Sequence, residues 1–73
     1  MEILAKRLKA LRESRRIYQR EMAEQLGLSF RGYQGYETNQ TEPKLATLIA
    51  IADYYNVSID YLVGRTDDPN INR

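Results

Sequence analysis

Apolar residues recur along the chain at helical spacing, in blocks separated by polar or glycine-containing breaks. In the first block Leu4, Leu8 and Leu11 stand at positions i, i+4 and i+7, and charged residues occupy the other faces. This spacing puts the three leucines on one side of a helix, so it predicts an amphipathic helix over residues 2–14. Residues 14–16 are polar and predict a short connection.

The second block is shorter and runs over residues 19–26. Met22, Ala23 and Leu26 share one face of this block, which predicts a second helix. Gly27 follows the last apolar position and can adopt the left-handed conformation that commonly ends a helix.

Ser29 marks the start of a third helix. Its hydroxyl can accept a hydrogen bond from a backbone N–H group of the first turn, so it predicts an N-cap. The helix is predicted over residues 30–37, with Tyr33 and Tyr36 facing inward at i and i+3.

The strongest helical period follows a polar loop at residues 38–43. Pro43 is tolerated in the first turn of a helix, because its missing N–H group is not needed there. A fourth helix is predicted over residues 44–55. It carries five apolar residues at helical spacing: Leu45, Leu48, Ile49, Ala52 and Tyr55.

A fifth, short helix is predicted over residues 59–63, capped by Ser58 and ended by Gly64. The polar segment 66–73 is expected to fray as a C-terminal tail. The pattern contains no strand signal and no internal repeat. The sequence therefore predicts one all-α domain of five helices over residues 1–65.

The composition narrows the classes of function. The 73 residues include no Cys and no His, so disulfides, thiolate metal sites and the commonest general base are excluded. We therefore expect a protein that is not an enzyme and that binds no metal or cofactor. No apolar run approaches the roughly 18 residues needed to cross a bilayer, and the first residues lack the apolar core of a signal peptide. A cytoplasmic protein without membrane contact is expected.

The net charge of +1 conceals an asymmetry between the two halves of the chain. Residues 1–31 carry eight basic and four acidic side chains, whereas residues 32–73 carry three basic and six acidic ones. A basic half is typical of a surface that contacts phosphates, although charged runs also simply solvate helix faces.

The segment from Gln19 to Tyr36 has the dimensions of two short helices joined by a tight turn. Ala23 is small where a second helix must cross closely, and Gly27 makes the turn. Two such helices form a helix-turn-helix, whose second helix presents its N-terminal half to an anionic surface. The sequence therefore predicts that this second helix enters the major groove of DNA.

The chain as a whole resembles the phage-repressor-like helix-turn-helix family of the xenobiotic-response-element type. The resemblance rests on four ordered stretches: RLKALRESRR (7–16), QREMAEQLGLS (19–29), YQGYETNQTEPKLATLIAIADYYNVS (33–58) and IDYLVGRTDDP (59–69). It implies a compact, five-helix fold like that of lambda repressor. The implied function is sequence-specific binding of double-stranded DNA by a transcriptional regulator, with repression as the expected effect.

The resemblance also implies roles for particular residues. Gln19 matches a residue that bonds a DNA phosphate and braces the reading helix. Arg12 and Glu37 match an internal ion pair between the first and third helices. Asn39 and Gln40, with nearby backbone N–H groups, match a loop that clamps the phosphate strand.

Residues of the third helix match outward positions that face bases: Phe30, Arg31, Gln34 and Gly35. Arg31 could bind a guanine edge or a phosphate, or remain a solvated surface side chain. Gln34 could pair with adenine or with a phosphate, and Phe30 could press on thymine methyl groups or pack on the domain. We include Ser29 with them in the expected DNA-contacting set.

Three departures from the family pattern affect these expectations. Tyr18 stands where a small capping hydroxyl is usual, and a phenol cannot make the N-cap bond of the second helix. Tyr33 replaces a small branched aliphatic residue, so looser or shifted packing is expected beneath the reading helix. Gly32 and Gly35 lie inside a helix, where glycine costs about 1 kcal/mol relative to alanine. Either the helix tolerates these glycines, or, at Gly35 in particular, the missing side chain lets the backbone approach DNA.

A homodimer on a palindromic operator is expected, because one reading helix recognises only a few base pairs. The fifth helix and the tail offer apolar side chains for contact between copies: Tyr61, Leu62, Val63 and Ile71. The alternative function is a protein-interaction module, such as the antitoxin of a toxin–antitoxin pair, which uses the same fold. A duplex affinity that falls as salt rises would favour the DNA-binding interpretation.

Overall fold

Five α-helices make up the fold. The computed structural model describes residues 1–71, and within that range it contains no strand. The helices are α1 (Glu2–Ser14), α2 (Gln19–Gln25), α3 (Phe30–Glu37), α4 (Leu45–Tyr55) and α5 (Ile59–Leu62). Each begins and ends within one residue of its predicted bounds, so the predicted all-α class is confirmed. None of these helices combines the length and the hydropathy that crossing a membrane requires.

All five helices end in the same way, with one residue in the left-handed region directly after the last turn. These residues are Arg16, Gly27, Asn39, Asn56 and Gly64, with φ between 56° and 86°. In each case the N–H groups of that residue and of the next one donate to carbonyl oxygens of the last turn. This Schellman arrangement satisfies carbonyls that a helix end leaves unpaired, and it turns the chain sharply.

Serine hydroxyls begin the third and fifth helices, as the sequence predicts. Ser29 Oγ accepts a hydrogen bond from the N–H group three residues later at 3.0 Å, and Ser58 Oγ accepts the equivalent bond at 2.9 Å. Pro43 precedes α4, as the predicted helix bounds require, and Lys44 is the N-cap.

The core forms where the apolar faces of the helices meet. Its fully buried large side chains come from all five helices: Leu8, Met22, Tyr33, Ile51, Tyr55 and Leu62. The predicted inward position of Tyr33 is confirmed, and Tyr36 is half-buried with its ring 6.2 Å from that of Tyr33. Ala23 is buried on α2, which packs against α3.

α4 turns to the core a face that overlaps only in part with the one that its apolar spacing predicts. Ala52 and Tyr55 are buried and Leu48 packs against the core, as predicted. Leu45 is 68% exposed and Ile49 is 42% exposed, however, and Ile51 is buried instead. The helix is apolar on nearly every side, so periodicity alone does not select the face that the neighbouring helices cover.

The segment after α5 packs on the body, so the expected fraying is wrong for its described part. Arg7 donates to the Thr66 oxygen at 2.7 Å and to Asp67 Oδ1 at 2.8 Å. Ser58 N donates to the Pro69 oxygen at 3.0 Å. These bonds hold the segment against α1 and against the start of α5. The last two residues of the predicted tail lie outside the described range.

Candidate nucleic-acid interface

A tight turn at Gly27 joins α2 to α3. Gly27 has a φ of 69°, and a Cβ atom placed on it would meet no neighbouring atom within 4 Å. The backbone conformation, rather than a lack of space, is therefore what favours glycine there. Leu26 and Leu28 on either side are half-buried against the core, so they anchor the turn.

The first turn of α2 reaches both ends of α3. Gln19 Nε2 donates to Oε1 of Glu37, the last residue of α3, at 3.0 Å. The guanidinium carbon of Arg20 lies 5.9 Å from the ring centre of Phe30, the first residue of α3. Two consecutive residues of α2 thus lie beside opposite ends of α3, and the hydrogen bond of Gln19 helps to orient it.

Glu37 is the centre of a buried polar cluster that ties α1, α2 and α3 together. Its side chain is 2% exposed and accepts two bonds from Arg12, from Nε at 2.7 Å and from Nη2 at 3.0 Å. Gln19 and the Tyr33 hydroxyl donate to the same carboxylate. The internal ion pair that the family resemblance implies is therefore present. The larger Tyr33 side chain is accommodated because its hydroxyl joins this cluster.

The cluster fixes the charge states of its members. Burial alone would raise the pKa of Glu37, because a buried carboxylate loses its hydration. The hydrogen bonds from Arg12, Tyr33 and Gln19 outweigh that effect, and the pKa of Glu37 lies below its ordinary value. The hydrogen bond with Glu37 raises the pKa of Arg12. Burial, followed by the hydrogen bond to Glu37, raises the pKa of Tyr33.

α3 exposes three of the four side chains that were expected to face bases. Phe30 is 40% exposed, Arg31 is exposed and Gln34 is half-exposed. The polar ends of Arg31 and Gln34 enter no hydrogen bond or ion pair among residues 1–71. Ser29 differs from them, because its hydroxyl is already used to cap α3. The side chains at positions 31 and 34 are thus available to a partner.

Gly35 faces the body of the protein, so its expected outward position is wrong. It is buried, and a Cβ atom on it would lie 2.9 Å from Thr41 Oγ1. The loop after α3 folds back against this side of the helix, because Gln40 N and Thr41 N both donate to the Gly35 oxygen. The missing side chain makes room for this loop.

The loop after α3 exposes the side chains of Asn39 and Gln40, but its N–H groups are already used. The N–H groups of residues 38–41 donate to carbonyl oxygens of α3 as part of its C-terminal cap. These four N–H groups are therefore not free to bind a phosphate, and the phosphate contact of Asn39 and Gln40 stays a prediction that concerns their side chains. Asn39 Oδ1 accepts a hydrogen bond from the Met1 amino group at 2.9 Å.

Three of the eight basic residues in the first half of the chain serve the fold itself. Arg7 holds the segment after α5, and Arg12 holds Glu37. Arg15 Nη2 donates to the Tyr55 oxygen at 2.9 Å, so it caps the end of α4. The basic surface is therefore smaller than the charge count suggests. The five basic residues without such a task are all exposed: Lys6, Lys9, Arg16, Arg20 and Arg31.

α2 begins at Gln19 although Tyr18 occupies its N-cap position. The Tyr18 side chain is 76% exposed and makes no capping bond. The Tyr18 N–H group donates to Glu21 Oε1 at 3.0 Å. A capping box has two hydrogen bonds, and only one of them requires a hydroxyl at the N-cap. Glu21 makes the other one, between its carboxylate and the N-cap backbone.

Arg20 is the residue of this surface that the sequence pattern does not identify. Ten positions separate it from Phe30, a spacing without meaning in a single helix, and only the turn between α2 and α3 brings the two together. A shallow groove beside them is also lined by Tyr18, Gln19 and Glu24.

The sequence matches a known family over most of its length. The helix-turn-helix family model covers residues 8–62. Over 64 residues the chain is 39% identical to the uncharacterised HTH-type transcriptional regulator YobD and 38% identical to the HTH-type transcriptional regulator ImmR, both of Bacillus subtilis. It is also 38% identical over 64 residues to RstR, a transcriptional repressor of the cryptic phage CTXphi in Vibrio cholerae.

These matches leave part of each relative uncovered. Each covers 88% of this chain, and they cover 57% of YobD, 50% of ImmR and 54% of RstR. The chain thus spans about half the length of the curated relatives that it matches.

A solved structure shares the fold. The DNA-binding domain of the P22 c2 repressor superposes with a TM-score of 0.76 at 28% sequence identity, and the match covers 84% of this chain and 80% of that domain. The order of the helices, the turn at Gly27 and the sequence matches all agree. The chain therefore belongs to the phage-repressor-like helix-turn-helix family, of the xenobiotic-response-element type.

Proposed function

We propose that this chain binds double-stranded DNA sequence-specifically in the cytoplasm and acts as a transcriptional repressor. The observation that carries the proposal is the exposed face of α3, where the polar ends of Arg31 and Gln34 have no partner among residues 1–71. In the major groove an arginine can donate to two acceptors of a guanine edge, and a glutamine can bond one acceptor and one donor of an adenine edge. This surface suits binding rather than catalysis, so we assign the chain no enzymatic activity.

The names of one relative and of one solved structure support this proposal. RstR is a transcriptional repressor, and the P22 c2 structure is a DNA-binding domain. The family-model match over residues 8–62 includes α2, α3 and the turn between them. The support therefore concerns the DNA-reading unit.

In the proposed complex α3 lies in the major groove. Arg31 and Gln34 meet base edges, and Phe30 lies at the end of α3 that enters first. Ser29 acts by keeping the first turn of α3 formed. The phosphate contacts are assigned to three surface side chains: Gln19, Asn39 and Gln40. The amide of Gln19 carries two hydrogens and gives one to Glu37, so the second can serve a phosphate oxygen.

A homodimer on a palindromic operator is part of the proposal. Half-sites one helical turn apart are separated by about 34 Å, and the longest dimension of the molecule is 32 Å, so two copies fit side by side. Leu62 is fully buried and Tyr61 stacks beneath Arg7, which leaves less apolar surface on α5 than the sequence suggests. Ile49 and Ile71 are exposed and line one groove. A chain that sediments as a monomer, both free and on palindromic DNA, would reject the dimer.

Selection of bound sites from random duplexes tests the proposed function. We expect one palindromic motif to be enriched. On that motif the association constant should fall with salt, with a logarithmic slope of roughly −4 to −5 if about five phosphates are contacted. A flat salt response would contradict DNA binding and would favour a protein-interaction module.

A further inference from the structure

We propose that Arg20 is a DNA-contacting arginine outside α3, which binds a backbone phosphate and which the Phe30 ring holds in position. The inference rests on the proposed function and adds a residue to its binding surface. The juxtaposition that carries it is the guanidinium of α2 lying over the aromatic ring at the start of α3, with 5.9 Å between Arg20 Cζ and the ring centre.

The Arg20 guanidinium is free to bind an external anion. Arg20 is exposed and forms no hydrogen bond or ion pair within the described part of the chain. Two carboxylates line the same groove, those of Glu21 and Glu24. The Glu21 carboxylate already accepts the Tyr18 N–H group. By contrast, the arginines at positions 7, 12 and 15 are bonded to carbonyl or carboxylate oxygens. Arg20 therefore has no such structural task.

Phe30 explains why this guanidinium stays beside the reading helix. The face of an aromatic ring is negative and attracts a cation placed over it. The Phe30 ring is 40% exposed, so most of its surface is held by the protein while part of it remains open to Arg20. Ser29 caps the turn that carries Phe30, which makes the ring a firm support.

The position of Arg20 favours a phosphate over a base. Gln19 and Arg20 are neighbours in the first turn of α2, and the proposed complex places Gln19 over the DNA backbone. Phe30 stands at the N-terminal end of α3, where the phosphate wall of the groove passes as the helix enters. The planar fork of an arginine matches two phosphate oxygens. Arg20 would therefore strengthen binding to every sequence, whereas Arg31 would select among sequences.

A salt titration of duplex binding tests the phosphate contact, with the selected duplex and an unrelated one as ligands. Arg20→Ala should weaken binding about tenfold on both duplexes. It should also reduce the steepness of the logarithmic salt slope by about 0.9, the loss of one phosphate contact. Arg65→Ala is the matched control, since it removes an exposed arginine after α5, and it should change neither quantity.

The role of Phe30 is tested through Arg20. Phe30→Tyr keeps an aromatic ring and should retain the wild-type salt slope, whereas Phe30→Leu should lose about as much slope as Arg20→Ala. In the Phe30→Leu background, Arg20→Ala should cost much less than tenfold, because the guanidinium is no longer held. Circular dichroism should be the same for all variants, since both side chains lie at the surface.

The possible results separate this inference from the proposed function. An unchanged salt slope in Arg20→Ala, or a relaxed preference at one base position, would overturn the phosphate contact while leaving DNA binding intact. Equal effects of Arg20→Ala in the wild-type and Phe30→Leu backgrounds would overturn the positioning role of Phe30. A wild-type chain without salt-dependent binding would overturn the proposed function, and this inference with it.

Discussion

At the scale of single residues, the exposed face of α3 depends on a carboxylate that is hidden from solvent. Glu37 accepts bonds from Arg12, Gln19 and Tyr33, which lie on three different helices. A buried carboxylate lowers stability unless its hydrogen bonds are complete. Removing one partner should therefore destabilise the fold, because a charged group is left partly unpaired in a buried site. Loss of Arg12 or of the Tyr33 hydroxyl should therefore affect how α3 is held, although neither group lies on the exposed face of α3.

The free energy of unfolding should fall in acid because of Glu37. Its pKa is lowered in the folded state, so the carboxylate stabilises the fold above its unfolded-state pKa of about 4.5. This contribution is lost as the pH falls from that value through the lower folded-state pKa. Urea denaturation between about pH 7 and pH 3 measures the effect.

The Glu37→Gln variant tests whether Glu37 causes the loss of stability in acid. Glu37→Gln should lower the free energy of unfolding at pH 7 by about 3 kcal/mol, because Arg12 loses its counterion in a mostly buried site. Its stability should also depend less on pH below about 4.5 than that of the wild type. Glu13→Gln, which removes an exposed carboxylate, is the control and should behave like the wild type. If the free energy of unfolding of the wild type and of Glu37→Gln depended on pH in the same way, Glu37 would not be the cause of the acid effect.

Two buried tyrosines form a matched pair for testing a single hydroxyl. The Tyr33 hydroxyl donates to Glu37, whereas the Tyr55 hydroxyl has no partner among the described residues, and burial raises the pKa of Tyr55 to about 12. Tyr33→Phe should lower the free energy of unfolding by about 1–2 kcal/mol. Tyr55→Phe should leave it unchanged or raise it by up to about 1 kcal/mol. Chemical denaturation distinguishes them, and a larger loss for Tyr55→Phe would refute the difference.

At the scale of helices, the ends share one geometry while the sequences that form them vary. Two of the five left-handed positions hold glycine and two hold asparagine, both residue types that tolerate this conformation. The fifth holds Arg16, with a φ of 56°. The end of α1 is therefore the one helix end among the five where side-chain strain is expected.

Arg16→Gly should raise the free energy of unfolding by about 0.5–1 kcal/mol. The strain of a left-handed non-glycine residue is about 1–2 kcal/mol, and the greater freedom of glycine in the unfolded chain offsets part of it. Arg16→Lys keeps the charge and the side-chain length, so it should leave stability unchanged. Thermal denaturation provides the measurement, and a glycine variant no more stable than the lysine variant would refute the strain.

For the whole molecule, we expect that a surface substitution lowers DNA affinity without lowering the free energy of unfolding, and that a core substitution lowers the free energy of unfolding. Arg31→Ala removes an exposed side chain, so it should weaken and relax duplex recognition while leaving the free energy of unfolding within about 0.5 kcal/mol. Leu8→Ala empties part of the core and should lower that free energy by roughly 2–5 kcal/mol. Duplex binding and urea denaturation of both variants provide the comparison. Equal losses of stability would mean that Arg31 is part of the fold.

Much of the candidate site could be predicted from the sequence, because the helix-turn-helix pattern fixes the number of residues between α2 and α3. That spacing determines which side chains belong to α3. Arg12 and Glu37 pair as the resemblance implies, and Phe30, Arg31 and Gln34 lie at the surface of α3. The exception within α3 is the sixth residue of the helix, which faces the following loop. The position of that loop depends on hydrogen bonds back to α3, which no spacing reveals.

The positions of the five helices follow from local sequence, because caps, glycine and apolar spacing act over fewer than about five residues. The faces that are covered and the charges that stay free follow from the packing of the helices against one another. This packing exposes Leu45 and Ile49 on a helix that is apolar on nearly every side, ties Arg7 and Arg15 to backbone oxygens, and brings Arg20 over Phe30. Burial and ion pairing depend on which helices meet, and that is a property of the folded chain as a whole.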